Sequence, residues 1–205
     1  MTDFAHRDPL SPAFWDERFT KSFTPWDKGG IPERLRRLVA AADAAVDASI
    51  RPPVALIPGA GSAYELDLMG EAGWDATAVD FAPEAIARAH QVVRRWPERI
   101  VQADFFTYQP PKPLDVIYER AFLCALTPER WPDVARRWAE LLPSGGLLAG
   151  YFFLGPTESG PPFAIERSQL DALLAPWFTL AADEAVTDSL PVFAGRERWL
   201  EWRRR

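Results

Sequence analysis

The chain has 205 residues, 48% of them hydrophobic and 25% charged, with a net charge of −6 and a pI near 5.0. That size and composition suit one soluble globular domain, residues 1–205, with enough apolar material for a proper core. The acidic balance argues against a nucleic-acid partner, whose binding would come mostly from neutralised phosphates, and the basic end Trp202–Arg205 is too short to reverse it.

At the N-terminus no segment has the charged start and apolar middle of a secretory leader, and no later run approaches the ~20 apolar residues of a membrane span. A cytosolic protein with no membrane partner is the expectation, and an Arg- and Ala-rich, Lys-poor composition suggests a bacterial source. The stretch "FWDERFTKSFTPWDKGGIP" (Phe14–Pro32) then places Phe14, Trp15, Phe19, Phe23 and Trp26 ahead of anything that reads as core. Those rings are either a hydrophobic staple for the body or the wall of a site.

Past the Gly29–Gly30 turn, Pro32–Ala48 reads as a helix, with Pro32 in its first turn and Leu35, Leu38, Val39, Ala42 and Val46 at helical spacing. From Val54 the texture becomes short apolar runs alternating with amphipathic pieces. Strands are expected at Val54–Pro58, Asp75–Asp80, Arg99–Asp104, Pro113–Glu119 and Gly145–Gly155, and helices at Ala63–Gly73, Pro83–Trp96 and Pro128–Leu142. The lone cysteine, Cys124, excludes an intrachain disulfide and in "AFLCAL" reads as a small buried hydrophobe. The chain ends in two extended segments, Trp177–Val186 and Val192–Arg204, that read as an antiparallel pair. The alternation predicts an α/β fold, a parallel sheet with helices on both faces and purely apolar strands buried between them.

Gly59 and Gly61 in "LIPGAGSAYEL" sit between a strand and a helix, where glycine permits a tight turn and close approach of a ligand to the main chain. Asp80 ends the next strand, nineteen residues past Gly61, where an acid can accept hydrogen bonds from both hydroxyls of a ribose; its bland alternative is a helix N-cap. Asp104 and Phe105 close the third strand with an acid beside a ring suited to adenine. Together these imply an adenosine-containing cofactor. Tyr64 occupies the third glycine of a dinucleotide fingerprint, so S-adenosylmethionine fits better than NAD.

Assembled, the residues resemble the thiopurine methyltransferase-like family of class I S-adenosylmethionine-dependent methyltransferases, and within it the halide and thiol methyltransferases. The resemblance runs from about Phe14 to the C-terminus on "FW-x3-F-x6-W", "TPWDKGGIP", "LIPGAGSAYE", "AVDF", "QADFF", "YERAFLCALTPE", "GPPF" and "GRERWL-x-WRRR". It implies a Rossmann-like, seven-stranded, mostly parallel sheet with a C-terminal antiparallel strand, and an N-terminal aromatic lid over about residues 1–31. It also implies that Trp15, Phe19 and Trp26 close over the cofactor, that Gly59 and Gly61 run along its methionine part, that Asp80 with Phe81 holds the ribose, and that Asp104 and Phe105 meet the adenine. Phe14 and Phe23 are then the residues expected to staple the segment down.

The acceptor implied is a small anion: iodide, bromide, chloride, thiocyanate, bisulfide or another thiol. Such a nucleophile needs partial desolvation and alignment rather than a base, which suits a chain whose only histidines are His6 and His90. Trp26, Arg120, Tyr151 and Phe152 are the expected catalytic set, with Arg120 steering an anion or contacting the cofactor, unless it is spent on a salt bridge to Glu119 or Asp104. "SGPPF" (Ser159–Phe163) is either a cap on the acceptor pocket or plain structural punctuation. A thiol or thiopurine S-methyltransferase, or a non-catalytic S-adenosylmethionine-binding protein, are the competing readings. A monomer without metal is expected.

Overall fold

The computed structural model describes residues 3–45, 51–157, 159–193 and 195–205; Val46–Ala48 of the predicted first helix lie outside these. A seven-stranded sheet runs in the order β3-β2-β1-β4-β5-β7-β6. Its strands are β1 (Val54–Pro58), β2 (Asp75–Asp80), β3 (Ile100–Gln102), β4 (Val116–Arg120), β5 (Leu147–Phe153), β6 (Phe178–Ala185) and β7 (Glu197–Arg204). β1 to β5 are mutually parallel, and β7 lies antiparallel between β5 and β6. This is the sheet the sequence predicts. Every residue of β1 and β5 is buried, which is why those strands carry no polar alternation.

Helices cover both faces. On one, Leu35 and Val39 of α2 (Glu33–Ala45), Leu66 and Met69 of α3 (Tyr64–Glu71) and Ala89 of α4 (Pro83–Val92) pack with Ile57, Ala76, Tyr118, Tyr151 and Trp199 of the sheet. On the other, Val134 and Trp138 of α5 (Trp131–Leu141) and Leu170 and Leu174 of α6 (Arg167–Leu174) pack with Leu56, Ile117, Leu148, Phe152 and Leu200. Among the described residues no helix is long and apolar enough to cross a membrane.

The departures from the predicted elements have local causes. The second core helix stops at Val92, short of Trp96, because the chain turns to lay the Trp96 indole on Gly70 of α3; a Cβ there would lie 2.5 Å from the indole nitrogen. Pro128–Arg130 forms a separate 3-10 turn, and the α-helix proper begins at Trp131 with Pro132 in its first turn, where its missing N–H costs nothing. Two further α-helices are absent from the elements expected from the sequence. One is α1 (Pro12–Thr20), hereafter the N-terminal helix, which Pro12 starts just ahead of the aromatic stretch. The other is α6, set by a capping box between Glu166 and Gln169. Val192, expected in the last strand, belongs instead to a 3-10 turn (Pro191–Phe193) in the long connection between β6 and β7.

Candidate active site

Strand order reverses between β1 and β4, and α/β sheets bind ligands outside the carboxyl ends of strands at such a reversal. A cavity of about 680 Å³ opens there, and the ends of β1, β2, β3 and β4 all contribute to its wall. Trp15, Phe19, Trp26, Gly59, Gly61, Asp80, Phe81, Asp104, Phe105 and Arg120 all line it. Tyr151 and Phe152 are not among its lining residues.

On the β1–β3 side, Gly59 and Gly61 hold φ of +58° and +52°, the left-handed region where a side chain is strained. A Cβ on Gly59 would also lie 2.6 Å from Cδ2 of Phe122, so this turn is closed to larger residues on two counts. The loop's geometry is held by Asp80, whose carboxylate accepts the Gly61 and Ala82 N–H groups, each at 3.0 Å. Burial pushes the Asp80 carboxyl up and the two N–H donors pull it back. Each oxygen keeps a further lone pair, so the two carboxylate acceptors fit the hydroxyls of a ribose diol. Nor is Asp80 the cap of α4: that helix has no side-chain bond from its own N-cap, and the Glu84 N–H is met from outside by Asp16 of the N-terminal helix at 2.9 Å. Asp104 is exposed at the rim, where it accepts the Phe106 N–H, while Phe105 is buried edge-on against Phe122 with ring centroids 4.9 Å apart.

The aromatic stretch forms the roof. Trp26 meets Trp15 and Phe19 edge-to-face, at centroid separations of 5.4 and 6.1 Å. Asp27 latches this stretch to the glycine loop: its carboxylate accepts the Ser62 hydroxyl at 2.5 Å and the Gly29 N–H at 2.8 Å. Of the two expected staples, Phe14 is buried under the Arg18 guanidinium, which sits 3.2 Å from its ring centroid. Phe23 is not a staple: it is 43% exposed, its ring lies 5.2 Å from that of Phe4 in the preceding tail, and it lines the cavity.

On the β4 side the cavity is lined by Arg120, Ala121, Phe122 and Cys124, by Gly160–Pro162 of "SGPPF", and by Val192 and Phe193. Arg120 makes no ion pair among the described residues, neither with Glu119 nor with Asp104. Its guanidinium lies 4.6 Å from the Tyr151 ring centroid, and its Nη1 is buried without a hydrogen-bond partner among those residues. Burial works against its charge, but the fields of Tyr118, Glu65 and Glu197 outweigh it and hold the group above its ordinary value. Glu65, in the first turn of α3, is itself pushed up by burial and eased by Arg120. Ala121, next in the chain, sits at φ +58°, a strained turn of the kind found at ligand sites. Behind it the Glu119 carboxyl, 1% exposed, accepts the Phe122 and Leu123 N–H groups at 3.2 and 3.1 Å, and burial raises it to about 8.

Tyr151 and Phe152 are a correction to the expected acceptor wall. Neighbouring residues on a strand point to opposite faces, and β5 continues past the level of Arg120, with which Tyr151 is paired, so both rings enter the two core layers instead. The Tyr151 hydroxyl accepts the Arg34 N–H at 3.1 Å and donates to Asp188 at 3.1 Å, while Asp188 also takes the Glu33 N–H at 2.8 Å. That hydroxyl therefore serves the N-terminus of α2. Residues absent from the sequence-based site, Glu65, Cys124, Val192 and Phe193, reach the cavity from the start of a helix and from turns that no local pattern marks.

The profile of the family described as Thiopurine S-methyltransferase (TPMT) matches residues 10–204. The chain is 26% identical over 211 residues to Thiocyanate methyltransferase 1 of Arabidopsis thaliana, covering all of this chain and 89% of that protein. It is 27% identical over 218 residues to Thiopurine S-methyltransferase of a Shewanella species, covering 93% of this chain and 95% of that one. Among solved structures, the Burkholderia thailandensis 1,6-didemethyltoxoflavin-N1-methyltransferase, with bound 1,6-didemethyltoxoflavin and S-adenosylhomocysteine, shares the fold at a TM-score of 0.72 and 20% identity, over 99% of this chain and 93% of that one.

Proposed function

Because the chain belongs to the thiopurine S-methyltransferase family, we propose that it moves a methyl group from S-adenosylmethionine to a small acceptor that arrives already ionised, a halide or a thiol-type anion such as bisulfide or thiocyanate. Bound S-adenosylmethionine supplies a methyl on a sulfonium, which a soft nucleophile displaces once the two are held in line. The residues that fit it are Gly59 and Gly61 along the chain, Asp80 at the ribose with Phe81 beside it, and Asp104 with Phe105 at the base. Trp15, Phe19 and Trp26 form a lid that keeps water from the reacting centre and offers ring faces to a sulfonium, each worth ~0.5–2 kcal/mol.

The observation that carries the choice of acceptor is the make-up of the β4 side. Trp26, Ala121, Cys124, Gly160–Pro162, Val192 and Phe193 bring no side chain able to act as a base near neutral pH, the buried Glu65 carboxyl that also lines the cavity lies in the field of Arg120, and Arg120 beside them keeps its Nη1 without a hydrogen-bond partner among the described residues. The Cys124 thiol is held protonated by burial and by the nearby Glu119 and Glu197 carboxyls. His6 and His90 are both exposed and do not line the cavity. An acceptor that needs a proton removed finds no help there, whereas an anion finds a dry wall and a guanidinium. A larger thiol is the second reading, favoured by a cavity of about 680 Å³.

The test is an acceptor panel with purified protein and S-adenosylmethionine: iodide, thiocyanate and bisulfide against a phenol and an amine of similar size, with S-adenosylhomocysteine release as the readout. Turnover is expected on the anions alone. Methylation of the phenol or amine at comparable rates would overturn the reading.

A further inference from the structure

The β6–β7 connection, residues 186–196, is longer than the roughly two to five residues that usually close a hairpin. Its Asp188–Phe193 part is tied down. Asp188 takes the Glu33 N–H and the Tyr151 hydroxyl, and the buried Glu197 carboxylate takes the Ser189 hydroxyl at 2.7 Å and the Leu190 N–H at 2.8 Å. Leu190 O in turn accepts the Phe193 N–H at 2.9 Å, closing the Pro191–Phe193 turn. The turn so fixed sends Val192 and Phe193 into the cavity wall beyond Arg120. Phe193 is 1% exposed, tilted against Phe153 of β5 with ring centroids 4.9 Å apart, and clustered with Cys124, Ala164 and Leu190, with Trp26 packed on the same cluster.

From this geometry we infer that Val192 and Phe193 set the upper size limit on the acceptor, admitting anions of a few atoms and small thiolates and excluding aromatic thiols. The inference rests on the methyl-transfer reading above and narrows its acceptor. The wall is rigid because a buried hydrogen bond ties Leu190 to Glu197 and the Phe193 ring is backed by the sheet, so it cannot swing aside at little cost. It is also chemically blank. Neither Val192 nor Phe193 offers a donor or acceptor to the ring nitrogens of a heteroaromatic thiol, and burying such nitrogens unpaired is unfavourable. An anion of a few atoms makes no such demand and keeps its contact with Arg120.

The experiment measures kcat/KM for iodide, bisulfide and benzenethiolate in the wild type and in Phe193→Ala, Val192→Ala and Val192→Phe, with S-adenosylhomocysteine affinity measured on each by calorimetry. The wild type should prefer bisulfide to benzenethiolate. Phe193→Ala should raise the benzenethiolate-to-iodide ratio about tenfold or more, the discrimination that a change of a few methylenes in an apolar pocket gives. Val192→Ala should move it the same way by less. Val192→Phe, at a half-buried position, should lower it. Ratios unmoved in the Val192 pair, with S-adenosylhomocysteine affinity intact and iodide still turned over, overturn this inference alone. A wild type that binds S-adenosylhomocysteine and methylates none of the acceptors overturns the proposed function, and this inference with it.

Discussion

The cavity's glycine-loop side, from Gly59 to Asp104, and its Arg120 side, from Arg120 to Phe193, draw their residues from different distances along the chain. The first is organised by backbone donors close at hand: Asp80 holds Gly61 and Ala82, and Asp104 holds Phe106. The second is assembled from β4, the "SGPPF" loop and the β6–β7 connection, and its Arg120 guanidinium leans on a ring from β5. On the first side polar groups face the cavity; on the second the wall is mostly apolar, and the hydrogen bonds that fix it, from Glu119 and Glu197, lie behind it. A side of the first kind suits a ligand with many hydrogen-bonding groups; one of the second kind suits a ligand with almost none.

The largest effect should come where the two sides touch. Gly59→Ala forces a Cβ at φ +58° to within 2.6 Å of Phe122, combining backbone strain with overpacking. S-adenosylhomocysteine affinity should fall about 100-fold or more, as expected for those two costs together. Wild-type affinity in a folded Gly59→Ala protein would break the assignment of that side to the cofactor.

Arg120→Met should separate the sides. It removes the charge from the acceptor side, so KM for iodide or thiocyanate should rise about 10- to 100-fold, the range for a lost hydrogen bond to a charged group. S-adenosylhomocysteine affinity should stay within about threefold of wild type, with Arg120→Lys recovering part of the loss. If cofactor affinity falls and KM for the anion does not, Arg120 belongs to the glycine-loop side.

Trp26→Ala sharpens the comparison at the roof the two sides share. S-adenosylmethionine carries a sulfonium and S-adenosylhomocysteine a neutral sulfide, so a ring acting through its face should matter more to the first. Its loss should weaken S-adenosylmethionine about 2- to 30-fold more than S-adenosylhomocysteine, from the usual strength of a cation–π contact. Equal weakening of both would reduce Trp26 to a packing residue, and no weakening of either would remove it from the lid.

The smallest effect at neutral pH concerns Glu119, the buried support of the Arg120 side. Its carboxyl rises from 4.5 to about 8 in the folded protein. Between those values the folded state holds a proton that the unfolded chain has lost, so this group's contribution to stability falls as pH rises through that window and is level on either side. Glu119→Gln should remove that slope, so its Tm gains on the wild type as pH increases from about 5 to about 8, at roughly 4 °C or less per kcal/mol for a chain of this size. A Tm difference independent of pH would show that the carboxyl does not titrate in that window.

What could be read from the sequence follows the same division. Gly59, Gly61 and Asp80 lie at strand ends within one strand–helix–strand unit, so spacing alone places them together. Trp15, Phe19 and Trp26 stood out as aromatic residues ahead of the core, and all three line the cavity. Tyr151 and Phe152 looked suitable by residue type, yet the two-residue period of a strand and the extra length of β5 carry them into the core layers. The partners of Asp16 and Asp27, the N–H of Glu84 and the hydroxyl of Ser62, are 68 and 35 residues away, beyond any local pattern. Val192 and Phe193 were hidden because their apolar run reads as strand, and only the bonds to Glu197 and within the turn bend it into the wall.

The central claim is that the Arg120 side works on an anion without a base, and the pH dependence of kcat/KM tests it most directly, measured for iodide and for a small thiol across about pH 6 to about pH 9. Iodide carries its charge throughout, so its profile should be level, with methyl iodide and S-adenosylhomocysteine formed in equal amounts, while the thiol's profile should follow the ionisation of the free thiol. An iodide profile that rises on an ionisation of the protein, or no methyl iodide at any pH from a protein that binds S-adenosylhomocysteine, would contradict the account.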